Sequence, residues 1–436
     1  MATYLLCATA VYGHVVPLFT LARRLHERGH DVTLLTGARF AYLAEGTGIR
    51  HVALEPSADL DDRDQDTYIP DREQYSGLAR AQYEIQSLFF SRLPGQYRSV
   101  VALIDELSPD AVLVDSAFSG VLPLLLGIRP VRPVIVGIGV LPLAQSSRDV
   151  APFGLGMQPS ASPLGRLRNR VLALVVARLF RNTQRFAAAR LVELGSPPAT
   201  RSVMDLSASF DRMYQLTVEG FEYPRSDLAP GIRFVGPLKP ELAAADELPA
   251  WWADLDAGTT VIHVTQGTMD NHDFDRLILP AIAALATLDC LVVASTGNEP
   301  VERLGTLPAN VRTASFLPYA DLLPKVDLMI TNGGYGGVHS ALAQGIPLVV
   351  AGDTEDKPEV TSRVAYAGVG INLKTGTPTV EAIRAAVETV LADASYEYRA
   401  KEIAAAIALS DAVGSIDADL AELVAAGPVT RSAHPA

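Results

Sequence analysis

The chain is 436 residues long, 49% apolar and only 19% charged, a balance of well-buried globular domains rather than of a disordered chain. Its formal net charge of -13 argues against nucleic acid and against an anionic membrane surface as partners, because phosphate-rich surfaces require clustered Lys and Arg. At roughly 100–200 residues per domain, the length predicts two domains.

The N-terminal "MATYLLCATA" lacks a basic leader region and a cleavage-like site, so it reads as a first strand in a cytoplasmic protein. Cys7 and Cys290 are far apart without CxxC spacing; each is expected to pack as a small apolar side chain. Leu18, Leu21, Ala22 and Leu25 fall at helical spacing, and Gly29 stops that helix. "DVTLLTG", "AVLVDSAF" and "RPVIVGIGV" are the next strands. Continuous Val/Leu/Ile strands separated by helices predict a parallel sheet covered on both faces. The apolar stretches Val121–Ile128 and Val131–Ala144 are broken by Pro and Arg and fall short of the roughly 18–20 residues of a membrane span.

Asp59–Arg72 is acidic and reads as an exposed loop, and Leu141–Leu164, rich in Pro, Gly and Ser, reads as a second. Loops of that length inside compact domains are often functional. A long helix is expected over about 166–194. "RFVGPLKPELAAADELPAW" runs from a strand into a linker, after which the pattern restarts: "TTVIHVTQGT", "CLVVAS", "VRTASF", "DLMITN" and "IPLVVAG" are strands with helices between them. Helical patterns return at 379–392 and 395–425. The expected fold is α/β, two doubly wound Rossmann-like domains facing each other across a cleft. The divisions are 1–238, a linker 239–252, a second domain 253–395, C-terminal helices 396–425 that pack back on the first domain, and a flexible tail 426–436.

Ligands of open α/β sheets bind beyond the carboxyl ends of the strands, so the residues there carry the functional reading. In "TNGGYGGVHSALAQ", Gly333, Gly334, Gly336 and Gly337 lie between a strand and a helix. Exposed N–H groups at a helix start attract an anion such as phosphate; the alternative is a tight, closely packed turn. No GK[ST] follows, and GxGxxG spacing is absent. "VTQGT" brings Thr265, Gln266, Gly267 and Thr268 to the same edge, to hold phosphate or to cap the loop. His14 follows the first strand, with Gly13 in the turn and Pro17 in the first helical turn. It reads as a base near neutral pH or as a helix-start histidine bonded to backbone or water. Asp115 ends "AVLVD" and either orients that imidazole or caps the next helix. His26, His30 and His51 fit surface or loop positions, His263 a core strand, and His339 could approach the ligand. No metal-ligand spacing is present.

The residues together resemble the family 1 glycosyltransferases, the UDP-glycosyltransferase superfamily with the GT-B fold. The likeness rests on "GHVVPLFTLARRLHERGHDVTLLT", "FVGPL" and "SFLPYADLLPKVDLMITNGGYGGVHSALAQGIPLVVAGDTEDKPEV". The resemblance implies an inverting transfer of a hexose, first of all glucose from UDP-glucose, to a hydroxyl of a lipophilic acceptor such as a phenol, macrolide or sterol. It implies His14 as general base and Asp115 as its orienting partner. It places Phe316 and Tyr319 near the nucleotide base, Asn332 to Gly337 with Tyr335 at the diphosphate, and Asp356 and Lys357 at the donor sugar. The family usually carries His at 332, Ser or Thr at 337, Glu at 340 and Gln at 357; here these are Asn332, Gly337, Ser340 and Lys357. Phe89, Phe90, Phe118 and Phe153 are candidates for the acceptor pocket or ordinary core aromatics. No cofactor is expected, the nucleotide sugar being a co-substrate, and the chain is expected as a monomer or homodimer. The rival readings are a sugar-nucleotide epimerase on a similar fold and a non-catalytic sugar-nucleotide or aglycone binder.

Overall fold

The computed structural model describes residues 1–64, 69–199, 201–239, 248–268 and 271–430. The first half runs β1 (Thr3–Cys7), α1 (Tyr12–Glu27), β2 (Asp31–Thr36), β3 (Arg50–Ala53), β4 (Ala111–Asp115), β5 (Val131–Arg132), β6 (Val134–Gly139), α2 (Pro163–Leu179), α3 (Arg181–Glu193), β7 (Arg212–Gln215) and β8 (Ile232–Phe234), with further helices between them, among them Leu93–Leu107. The second half continues with β9 (Val261–Thr265), β10 (Leu291–Ser295), β11 (Val311–Ala314), β12 (Leu328–Thr331), α4 (Tyr335–Ala343), β13 (Leu348–Val350), α5 (Lys357–Ala367), β14 (Gly370–Asn372), α6 (Ala394–Leu409), α7 (Ala412–Ala425) and β15 (Val429–Thr430).

One parallel sheet has the order β3-β2-β1-β4-β6-β7-β8 and the other β11-β10-β9-β12-β13-β14. In each, strand order reverses between the first strand of the domain and its neighbour, β1 beside β4 and β9 beside β12. A crevice opens outside the carboxyl ends at such a reversal. Strands β4, β6, β9, β10 and β12 are buried at every residue, as the uninterrupted apolar runs require. Strands β3, β7 and β14 went unread because RHVA, RMYQ and GIN are three or four residues long and carry polar side chains.

Several expectations need correction. Helix α1 begins at Tyr12, so Gly13 and His14 are already helical and Pro17 sits inside the helix rather than in its first turn. The stretch 166–194 forms two helices, interrupted at Phe180, where ψ reaches 14°. In the acidic loop, Asp62 is buried, and its carboxylate accepts the Tyr12 N–H at 2.6 Å at the start of α1. A carboxylate there satisfies an N–H with no helical acceptor and favours the helix dipole. Both cysteines are free and buried.

The C-terminal helices divide between the domains. Ala400, Ile403 and Ile407 of α6 join the core of the second domain, whereas Ala412, Ile416 and Leu420 of α7 join that of the first. Asp417 and Asp419 of α7 pair with His30 (3.0 Å) and Arg212 (2.7 Å). Val429–Thr430, expected in a flexible tail, pair antiparallel with β5. Most of the expected linker, and 431–436, lie outside the described residues. Among the described residues no helix is long and apolar enough to cross a membrane.

Candidate active site

The turn after β1 and the end of β4 meet at the first reversal of strand order. His14 Nδ1 lies 2.8 Å from Asp115 Oδ1, with both residues buried. The carboxylate also accepts the backbone N–H groups of Thr9 (2.6 Å) and Ala117 (2.8 Å). Burial alone would raise the Asp115 pKa, but the His14 charge and hydrogen bond, with these amides, hold it below the ordinary value. For His14, burial disfavours the charged form, yet Asp115 outweighs it and raises the pKa above 6.5, assisted by Asp356 and Glu355. With an ionised carboxylate on Nδ1, the proton resides there and Nε2 carries the lone pair. This is a buried imidazole base with its tautomer fixed. Asp356 and Glu355, whose charges act on the imidazole, belong to the second half of the chain.

At the second reversal, Asn332 Nδ2 donates to the Gln266 carbonyl and stitches together the turns after β9 and β12. Gly333 has φ +88, and a Cβ there would lie 2.7 Å from the Thr361 methyl. Side chains at Gly334 and Gly336 would meet nothing within 4 Å, so the backbone at the start of α4 is open to approach. The first N–H groups of this helix have no acceptor within the helix. After β13 the chain returns through Glu355, in a left-handed conformation at φ 54. Lys357 is buried, paired with Glu355 and bonded to Thr354 Oγ1 at 3.2 Å. Burial, opposed by Lys357, pushes Asp356 up to about 6, and its buried Oδ2 has no hydrogen-bond partner.

Residues 280–423 match the family described as erythromycin biosynthesis protein CIII-like, C-terminal domain. The chain is 40% identical to the 4'-demethylrebeccamycin synthase of Lentzea aerocolonigenes over 416 residues, covering 94% of this chain and 97% of that one. It is 35% identical to UDP-glycosyltransferase 2 of Phaeomoniella chlamydospora, covering 97% and 96%. The chain belongs to the family 1 glycosyltransferases. Its architecture is the GT-B fold: the crystal structure of the glycosyltransferase of kitacinnamycin superposes with a TM-score of 0.70 at 21% identity, covering 97% of this chain and 98% of that one.

Several residues expected at the ligand of this glycosyltransferase have hydrogen-bond partners within the protein. Gln266 donates to the Asp273 carbonyl (2.9 Å) and accepts from Ile278 N (3.0 Å). Thr265 Oγ1 accepts from Ser295 Oγ and from Gly267 N, each at 3.1 Å. Thr268 is exposed. Tyr319 turns its hydroxyl to His263 Nε2 (3.2 Å), whereas Phe316 stands out, 57% exposed. The Tyr335 hydroxyl accepts from Gln215 Nε2 of the first domain at 3.1 Å. His339 is likewise spent across the interface, on Thr217 Oγ1 at 2.7 Å, and burial lowers its pKa to about 4. Ser340 Oγ donates to Gly336 O, 3.0 Å away in its own helix. Phe90 and Phe118 are core residues, Phe89 packs against that core, and Phe153 is half-buried in the long loop.

Sequence reasoning missed Glu222, Glu359 and Arg363. Arg363 is fully buried and donates to Glu222 Oε1 from Nε (2.9 Å) and Nη2 (2.6 Å) and to Glu359 Oε2 from Nη1 (2.8 Å). Within "KPEVTSRV" the Glu and Arg four residues apart look like a solvent-exposed helical pair. Nothing local marks the third partner.

Proposed function

We propose that this glycosyltransferase moves a hexose, in the first place glucose from UDP-glucose, to a hydroxyl of a lipophilic natural product, with inversion at the anomeric carbon. The buried His14–Asp115 pair, within electrostatic reach of Asp356, carries this reading. The acceptor hydroxyl gives its proton to His14 Nε2 as its oxygen attacks the anomeric carbon. The bond from that carbon to the diphosphate breaks on the opposite face, and the electron pair leaves with the phosphate. General-base assistance of this kind contributes about 10²–10⁴-fold. The imidazolium that forms is stabilised by Asp115. The leaving charge develops against the open N–H groups at the start of α4, and Asn332 tethers that turn.

Asp356 is assigned to the donor sugar, because a carboxyl with an unpartnered buried oxygen suits a sugar hydroxyl. Lys357 then holds the same loop through Glu355. Phe316 offers an exposed ring to the nucleotide base. The acceptor class follows the relatives, of which one is named a 4'-demethylrebeccamycin synthase. The test is turnover with UDP-glucose and dTDP-glucose against phenols, macrolides and sterols, read by mass spectrometry. A product of acceptor plus one hexose, lost in His14→Ala, is the expected result. Full transfer by His14→Ala would remove the base assignment.

A further inference from the structure

We propose that Glu359 is a positioning residue: it seats the 153–156 segment of the first domain's long loop on the donor-side helix, and thereby sets acceptor affinity and shields the donor from water. The inference rests on the reading of Asp356, three residues earlier, as the donor-sugar contact.

Glu359 is 3% exposed, and its carboxylate divides its two oxygens between two tasks. Oε1 accepts the N–H groups of Gly154 and Gly156, each at 2.9 Å. Oε2 accepts from Arg363, which in turn holds Glu222 of the first domain. Glu222 Oε2 accepts Leu143 N at 3.2 Å, so the same network grips the beginning of the loop. Arg225 adds a hydrogen bond from Nη2 to Leu143 O at 2.9 Å. One connected set of charges therefore joins the two domains and holds the loop at both 143 and 154–156. The pairing with Arg363 needs only one carboxylate oxygen; the second is committed to loop amides. Hydrogen bonds to an ionised acceptor are the stronger kind.

The fit is close. Gly156 has φ +57, and a Cβ there would sit 2.8 Å from the Pro358 carbonyl oxygen in the first turn of α5. The segment thus lies against the helix start that Asp356 and Lys357 begin, with half-buried Phe153 leading into it. A loop seated there walls the space between the domains only while they are closed on each other. Closure that excludes water limits hydrolysis of an activated donor.

The test compares Glu359→Ala, Glu359→Gln and Gly156→Ala with the wild-type chain. Acceptor KM, kcat, donor KM and the ratio of donor hydrolysis to transfer are measured, together with hydrogen exchange at the amides of Gly154 and Gly156. Loss of the charged hydrogen bonds in Glu359→Ala should raise acceptor KM about tenfold, increase the hydrolysed fraction and speed exchange at both amides, with donor KM unchanged. Glu359→Gln, which keeps an acceptor oxygen, should recover part of the effect. Gly156→Ala displaces the segment without touching the charges and should act in the same direction; it decides the matter if Glu359→Ala fails to fold. Unchanged acceptor KM and hydrolysed fraction in folded Gly156→Ala and Glu359→Ala would overturn the proposal. Wild-type protein that transfers no hexose would instead sink the functional reading on which it rests.

Discussion

Asp115 holds His14 and two backbone amides at once, so its replacement acts on the base rather than on the cleft. In the mechanism proposed above the neutral imidazole is the active form, and its pKa is raised above 6.5 chiefly by Asp115. Hence kcat/KM should climb as pH rises through a value above 6.5. Asp115→Asn should move that limb to lower pH and cut kcat by about 10²–10⁴-fold; a pH profile of the mutant identical to wild type would show that another group limits the rate. Asp356 makes the opposite case. Its folded pKa of about 6 lies above the ordinary 3.8, so its charge costs stability at neutral pH. That cost is full above about pH 6 and vanishes as pH falls through the unfolded value. Asp356→Asn should therefore stabilise the protein by about 1–3 kcal/mol at pH 7.5 and by almost nothing at pH 3.5, while donor KM rises. Thermal unfolding at the two pH values checks it, and equal gains at both would refute the linkage.

At the scale of the element, the turn before α4 and the first turn of α4 contain two kinds of glycine. Gly333 is required by the backbone, both for its positive φ and for its contact with Thr361, and Gly333→Ala should cost about 1–3 kcal/mol. Gly336 stands inside α4 with open space beside it, so Gly336→Ala should leave stability equal or higher by up to about 1 kcal/mol. Donor KM should nonetheless rise, because in the proposed mechanism the new methyl occupies the side from which the diphosphate approaches. Urea denaturation and donor titration separate the two effects, and an unchanged donor KM in Gly336→Ala would move the diphosphate away from this turn. The element was legible because a strand, a glycine cluster and a helix follow one another within a dozen residues. Which glycine the fold needs was not legible, since φ and the Thr361 contact arise only once α5 packs against the turn.

At the scale of the whole molecule, Arg363 bridges Glu222 of one domain and Glu359 of the other, and Arg225 also pairs with Glu222 at 3.2 Å. Removing one partner of a buried ion pair strands the remaining charge. Arg363→Met should therefore cost about 3–5 kcal/mol. A loss of about 0–1 kcal/mol, as for a surface pair, would mean that water enters this interface. Helix α7 ties the ends of the chain together in a second way. Its Ile416 and Leu420 are fully buried in the first domain's core, so ending the chain at Ser410 should unfold that domain. Tryptic digestion that leaves an intact first-domain fragment would contradict this.

The sequence by itself determined the two parallel sheets, the placement of His14 after the first strand and of Asp115 at the end of β4, and the strand–glycine–helix turn, and with them the family. Those features are local: hydrophobic runs set strands, and strand ends set edges. Tertiary structure alone decided which face each side chain takes. It sent Tyr335 and His339 across to Gln215 and Thr217, and sank Phe90 and Phe118 into the core. It also paired Arg363 with a glutamate 141 residues away. Such partners depend on how one domain lies against the other, and no spacing within either segment encodes that.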